Sequence, residues 1–177
     1  MRNVILAVIT LLYPLLIYRG MGHFEPKWLA LLLLAIALTR AALSKEKIWL
    51  IAAAGAAVLA ALSFCSNQAL PLKLYPVLVN AVLCLVFSLT LVYPPSAIER
   101  LARLSEPDLP ASGVRYTRRV TQVWCGFFIF NGSVALITAL WSDAAWAIYN
   151  GLIAYLLMGI LFMGEWLIRR RAKAAHG

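Results

Sequence analysis

Charge is the scarcest commodity in this sequence. Only 13% of its 177 residues are Asp, Glu, Lys or Arg, and just seven of these are acidic. A soluble domain carries roughly a quarter charged residues to keep its surface in water, so an aqueous globular fold is excluded at the outset. Cysteine is nearly as rare. Cys65, Cys84 and Cys125 are too few and too scattered for a disulfide framework or a zinc site, and each falls inside an apolar stretch, where packing is the simplest role. The chain also lacks an HExxH zinc motif, paired aspartates at metal spacing, a GxSxG nucleophile elbow and a phosphate-binding loop. Neither a regular arginine ladder nor a filter-like sequence is present. These absences point away from enzyme classes recognised by such motifs and imply no cofactor and no metal.

What is abundant is hydrocarbon: 63% of the residues are hydrophobic and the mean hydropathy is +0.85. Spanning a bilayer takes ~20 largely apolar residues, with ~17 as the lower limit. Six stretches qualify, at 3–19, 27–43, 47–65, 73–93, 120–141 and 144–168. The fold class implied is all-α, one polytopic transmembrane bundle over residues 1–177 with a cytoplasmic loop at 94–119. The first stretch follows Arg2 and is not followed by a small-residue cleavage site, so it reads as a retained helix rather than a signal peptide.

The net charge of +9 would suit nucleic acid, but the sixteen Lys and Arg sit at the ends of apolar runs, where they serve orientation and lipid headgroups. No nucleic-acid partner is expected; membrane lipids are. With the N-terminus inside, thirteen basic residues fall on inner segments, including Arg40, Lys45, Arg100, Arg103 and Arg169, and only Arg19, Lys27 and Lys73 fall outside. That asymmetry predicts a multi-pass membrane protein with both termini cytoplasmic. Trp28, Trp49, Tyr93, Trp124, Trp141, Trp146 and Trp166 lie near segment ends as interfacial anchors. Ala53, Ala57 and Ala61, beside Ala52, Ala56 and Ala60, allow close helix approach and place the third segment in the middle of the bundle.

The loop at 94–119 carries its own signal. Ser96 followed by Glu99 matches a capping box, and Ile98, Leu101 and Leu104 share one helical face, which predicts a short amphipathic helix on the cytoplasmic surface. Glu106, Pro107, Asp108, Pro110 and Gly113 then break the helix, and the chain restarts at Val114.

Two constellations are candidate sites. Arg115, Arg118, Arg119 and Gln122 share a helical face, offering three guanidinium groups and an amide either to lipid headgroups or to a phosphorylated or acidic partner. Asn80, Asn131 and Asn150 fall at similar depth in three segments, as interhelical hydrogen-bonding groups or as a polar pathway. Glu165 is the one acid well inside a span, and Arg169 four residues on offers an ion pair. His23 and Glu25 lie two residues apart, with nothing nearby in sequence to complete a catalytic set. Phe130-Asn131-Gly132 and Tyr149-Asn150-Gly151 form a faint local echo.

From Tyr93 to Trp166 the chain reads YPPSAIERLARL, LPASGVRYTRRVTQVWCGFFIFNGSVALITALW, WAIYNGLIAYLLMGILF and EW. This half resembles a family of small bacterial inner-membrane proteins that accompany aryl polyene, xanthomonadin-like, biosynthetic clusters. The resemblance implies a non-enzymatic accessory protein of a lipid or aryl-polyene-type pathway. It also implies that acidic acyl carrier protein, or other pathway enzymes, would dock on Arg115, Arg118 and Arg119. A transporter or flippase for the lipid product and a membrane acyl- or glycosyl-transferase are the alternatives. A homodimer is compatible with either.

Overall fold

The structure is a computed structural model that describes residues 16–20, 23–43 and 47–174. The first expected span, 3–19, lies almost entirely outside the described residues, which include a helical stretch at 16–20. Every secondary-structure element among the described residues is helical. In chain order they are α1 (Pro26–Leu43), α2 (Lys47–Ser66), α3 (Leu70–Lys73), α4 (Tyr75–Val92), α5 (Ala97–Arg103), α6 (Ala111–Trp141) and α7 (Asp143–Ile148). A π-helical turn, Tyr149–Ile153, then leads into α8 (Ala154–Ala174).

Local chemistry sets the boundaries. Pro71 and Pro76 stand in the first two positions of α3 and α4, where a missing N–H costs nothing. Asn67 takes a left-handed conformation, φ 51°, just past α2, a role for which asparagine is second only to glycine. Pro94 and Pro95 follow α4 and prevent its continuation. Extended Ser142 separates α6 from α7 and accepts a 3.4 Å hydrogen bond from the Ala145 amide, making a tight helical hairpin.

Among the described residues, three segments are long and apolar enough to cross a membrane: Leu70–Val92, Ala111–Trp141 and Asp143–Arg169. The sequence pattern predicts six. The helices expected at 27–43 and 47–65 are present as α1 and α2, but their described apolar parts, Pro26–Thr39 and Ala53–Ser66, are shorter than a span. The described residues thus form a helical bundle with three helices of spanning length.

α2 packs between α1 and α4 as its alanines predict: Ala53, Ala56 and Ala60 are buried, and Ala61 marks the exposed edge. Small side chains let the neighbouring backbones come close, which in an apolar solvent is a main source of helix association. Where this alanine-rich half meets the second half, Trp146 of α7 is fully buried and its Nε1 donates to the Lys73 carbonyl at 2.9 Å.

α4 and α6 run antiparallel in close contact. Gly132 faces Asn80, and a Cβ at Gly132 would lie 3.1 Å from the Asn80 Cβ, so the absence of a side chain sets how near the helices come. At one end Lys73 Nζ donates to the Ala139 carbonyl, 2.6 Å, and to Asp143 Oδ1, 2.8 Å. At the other, Arg118 Nη1 donates to the Leu91 carbonyl at 2.8 Å. Lys73, expected at the outer ends of the segments, is buried against the last turn of α6 and beside Asp143 rather than free in a loop.

The loop at 94–119 is more ordered than its breakers suggested. α6 begins at Ala111, three residues before Val114, and Gly113 lies within its first turn with the Leu109 side chain packed where a Cβ would point. The Ser96–Glu99 capping box opens α5. Threonines of the bundle hold that end: Thr90 Oγ1 accepts from the Ala97 amide at 2.9 Å and Thr121 Oγ1 from the Ile98 amide at 3.3 Å. Buried Glu99 is clamped by Arg103, at 3.0 Å from Nε and 2.8 Å from Nη2. α5 thus docks by polar contacts and leaves Leu101 and Leu104 59% and 81% exposed.

Trp146 provides a test of the junction between the halves. Trp146→Phe keeps an aromatic ring but removes the hydrogen bond to Lys73, and should cost about 1–3 kcal/mol, read as a lower thermal unfolding midpoint in detergent. An unchanged midpoint would show that this bond contributes nothing.

Candidate functional site

The first turns of α6 carry the basic face. Arg115, Arg118, Arg119 and Gln122 all project from the exposed side of the helix, opposite buried Thr117, Thr121 and Trp124. Their states differ. Arg118 is engaged at the end of α4, where a guanidinium meets helix-terminal carbonyls and the negative end of the helix dipole. Arg115 and Arg119 make no hydrogen bond or ion pair among the described residues. Two guanidinium groups therefore remain free to meet an anion, with Gln122 one turn deeper.

The asparagines meet only in part. Asn131 Nδ2 donates to Asn80 Oδ1 at 3.1 Å, directly over the Gly132 approach. The Asn80 Nδ2 donates to the Pro76 carbonyl on its own helix at 2.8 Å. The third member is Tyr149, whose hydroxyl donates to Asn131 Oδ1 at 2.9 Å. Asn150 is buried, but its Nδ2 donates to the Trp146 carbonyl of its own helix, 3.0 Å away. The reason is the π turn: Tyr149 and Asn150 both stand in it, and the wider turn aims the tyrosine across the bundle while the asparagine folds back. In the sequence Tyr149 stands only in the local echo with Phe130, because a tyrosine in an apolar run resembles an interfacial anchor; the usable signal is that a buried tyrosine hydroxyl needs a partner.

Buried amides in apolar surroundings are costly unless paired. These are engaged by one another, by Tyr149 and by helix carbonyls, which favours interhelical bonding over an open polar pathway. One turn further along the same contact, Ser88 Oγ lies 4.0 Å from Cys84 Sγ and donates to Cys125 Sγ at 3.6 Å. Both cysteines are free thiols.

The remaining candidates resolve simply. Glu165 pairs with Arg169 at 3.6 Å and also receives the Tyr116 hydroxyl, 3.5 Å from Oε1 and 3.3 Å from the Glu165 carbonyl. His23 Nδ1 faces the Arg19 carbonyl at 3.1 Å, and Glu25 pairs with Lys27, so these two do not act together. Among the described residues no three His, Cys, Asp or Glu side chains are grouped to hold a metal ion.

Comparison with protein-family models, curated proteins and solved structures finds no match to this chain.

The amide network makes a measurable claim. Asn131→Ala and Tyr149→Phe, made singly and together, should show a coupling of about 0.6 kcal/mol, the usual size for such bonds between membrane helices, in denaturant unfolding from mixed micelles. Strictly additive losses would mean that the Tyr149–Asn131 bond contributes nothing.

Proposed function

We propose that this protein is a non-enzymatic accessory component of the bacterial inner membrane that holds a soluble acidic partner against the bilayer. In the reading suggested by the sequence resemblance, that partner is acyl carrier protein of a lipid or aryl-polyene-type pathway. The observation that carries the reading is the pair of exposed, unengaged guanidinium groups, Arg115 and Arg119, at the start of the longest helix. Arginine's planar fork suits carboxylate and phosphate groups, and a basic patch speeds encounter with an acidic surface. α5 lies on the opposite side of α6, against Thr121, with Leu101 and Leu104 exposed, apolar surface fit to rest in the headgroup boundary.

The orientation belongs to the same proposal: six spans, with α5 and the basic face cytoplasmic. Its support is the thirteen-to-three partition of basic residues together with the three helices of spanning length. In a variant with its native cysteines replaced, a thiol at position 67 should react with an impermeant maleimide added to spheroplasts, and one at position 105 should react only after lysis. The reverse pattern inverts the topology.

The structure guides the docking experiment away from Arg118, whose loss would disturb α4. Arg115→Glu with Arg119→Glu, in full-length protein in nanodiscs, should weaken binding of acyl carrier protein at least tenfold and abolish its salt dependence, since close charge pairs across interfaces carry ~1.5–7 kcal/mol. Unchanged affinity in a properly inserted variant would remove the docking proposal.

A further inference from the structure

The seam between α4 and α6 is open along one side. A shallow groove of about 500 Å³ follows it, with Ala81 and Leu85 on the α4 bank and Ile129 and Leu136 on the α6 bank. The polar side chains in this groove already have partners. Asn80 bonds Asn131 and the Pro76 carbonyl, Ser88 donates to Cys125 Sγ, and Cys84 Sγ lies 3.9 Å from the Cys125 carbonyl. Ser133 Oγ donates to the Ile129 carbonyl of its own helix at 2.8 Å. A polar guest would lose water here without a free partner to replace it, whereas a hydrocarbon chain loses nothing.

Helical phase carries the α6 bank upward to a cation. Arg118, Gln122, Ile129 and Leu136 follow one another at spacings of four and seven, so they share one face. The bond from Arg118 Nη1 to the Leu91 carbonyl holds that guanidinium at the end of the seam and uses one of its five N–H donors; the side chain is otherwise exposed. Neither α4 nor α6 contains an acidic residue. The distances suit a lipid. Along α4 the groove runs from Val77 to Ser88, about 16 Å at 1.5 Å per residue. That is roughly half of the ~30 Å hydrocarbon core, enough for one acyl chain and too short for the spanning helix of a partner. From the level of Arg118 to that of Leu136 is about 27 Å. In a glycerophospholipid an extended palmitoyl chain ends about 21 bonds from the phosphorus, roughly 26 Å at ~1.25 Å per bond.

We infer that this seam binds one anionic glycerophospholipid. Its acyl chain lies in the groove, its phosphate accepts from the outward N–H groups of Arg118, and the Gln122 amide donates to the ester between them. Charge decides the head. The ammonium of a zwitterionic lipid would meet Arg115, Arg118 and Arg119 with no carboxylate from either helix to receive it. A singly anionic head brings the phosphate, which gains charge-assisted bonds, without that repulsion. The site uses the arginine that the docking proposal leaves aside and leaves Arg115 and Arg119 free, so the two proposals are tested separately.

The experiment uses the full chain, stripped of lipid in dodecyl maltoside and titrated with 1-palmitoyl-2-oleoyl phosphatidylglycerol or the matching phosphatidylcholine, with bound lipid counted by native mass spectrometry. Wild type should retain one phosphatidylglycerol about tenfold more tightly than phosphatidylcholine, a difference of roughly 1.4 kcal/mol. Ala81→Trp fills the groove from an exposed position and should weaken both lipids about tenfold. Gln122→Glu leaves the Leu91 bond intact but sets a carboxylate four residues from Arg118, within pairing distance on a helix, and should abolish the preference for phosphatidylglycerol. Arg115→Gln with Arg119→Gln removes the free pair and should keep that preference; its loss there would show a diffuse basic surface and overturn the site. Equal retention of the two lipids, or a preference untouched by Gln122→Glu, overturns the head assignment. Affinity untouched by Ala81→Trp, or displacement of the lipid by millimolar glycerol 1-phosphate, overturns the groove.

Discussion

The antiparallel pair of α4 and α6 depends on each helix completing the other's end. The last carbonyls of a helix have no partner within it, and they carry the negative end of its dipole. Lys73, just before α4, donates to Ala139 in the last turn of α6, and Arg118, in the second turn of α6, donates to Leu91 in the last turn of α4. In water such carbonyls would be hydrated and the arrangement would matter little. Here each end is bonded to the other helix, so these two cations tie the axial register of the pair. Register in turn places Gly132 opposite Asn80 and makes the Asn80–Asn131 bond possible.

The same logic explains where the other polar side chains go. Thr90 and Thr121 receive the first amides of α5, which otherwise lack acceptors, and so convert a surface helix into part of the bundle. Ser63, fully buried, donates to the Gln68 carbonyl where the chain turns after α2. Trp146 joins α7 to α3 through the Lys73 carbonyl, so one residue, Lys73, links three elements by its ammonium and its backbone. Several of the polar residues thus sit where a helix end or an irregular turn leaves a backbone group without a partner in its own helix.

That placement also marks how far the sequence could be read. The long apolar stretches, the capping box at Ser96 and Glu99, the Glu165–Arg169 spacing and the shared depth of Asn80 and Asn131 are properties of periodicity and rise per residue, and they carry over directly. Lys73 did not, because a lysine flanking an apolar run looks alike whether it faces water or reaches back to a helix end. Arg118 was grouped with Arg115 and Arg119 by helical phase, which reports the face but not the partner. Asn150 was placed at the right depth and the wrong contact, since depth counting assumes a regular helix and the π turn occupies that very segment. Gly113 reads as a breaker by composition, yet with Leu109 folded over it, the position favours the smallest residue within a helix.

The π turn has a second consequence that links the fold to what the protein offers its surroundings. An extra residue in a turn rotates everything after it by about 100° relative to a continuous α-helix. The face that buries Trp146 and Asn150 therefore does not continue along α8, and that helix diverges instead of closing on α6. Tyr149, in this turn, is at the same time bonded to Asn131, so the place where the helix departs is pinned to the α4–α6 pair. The π turn thus fixes where the buried face of α7 ends and where α8 begins to part from α6.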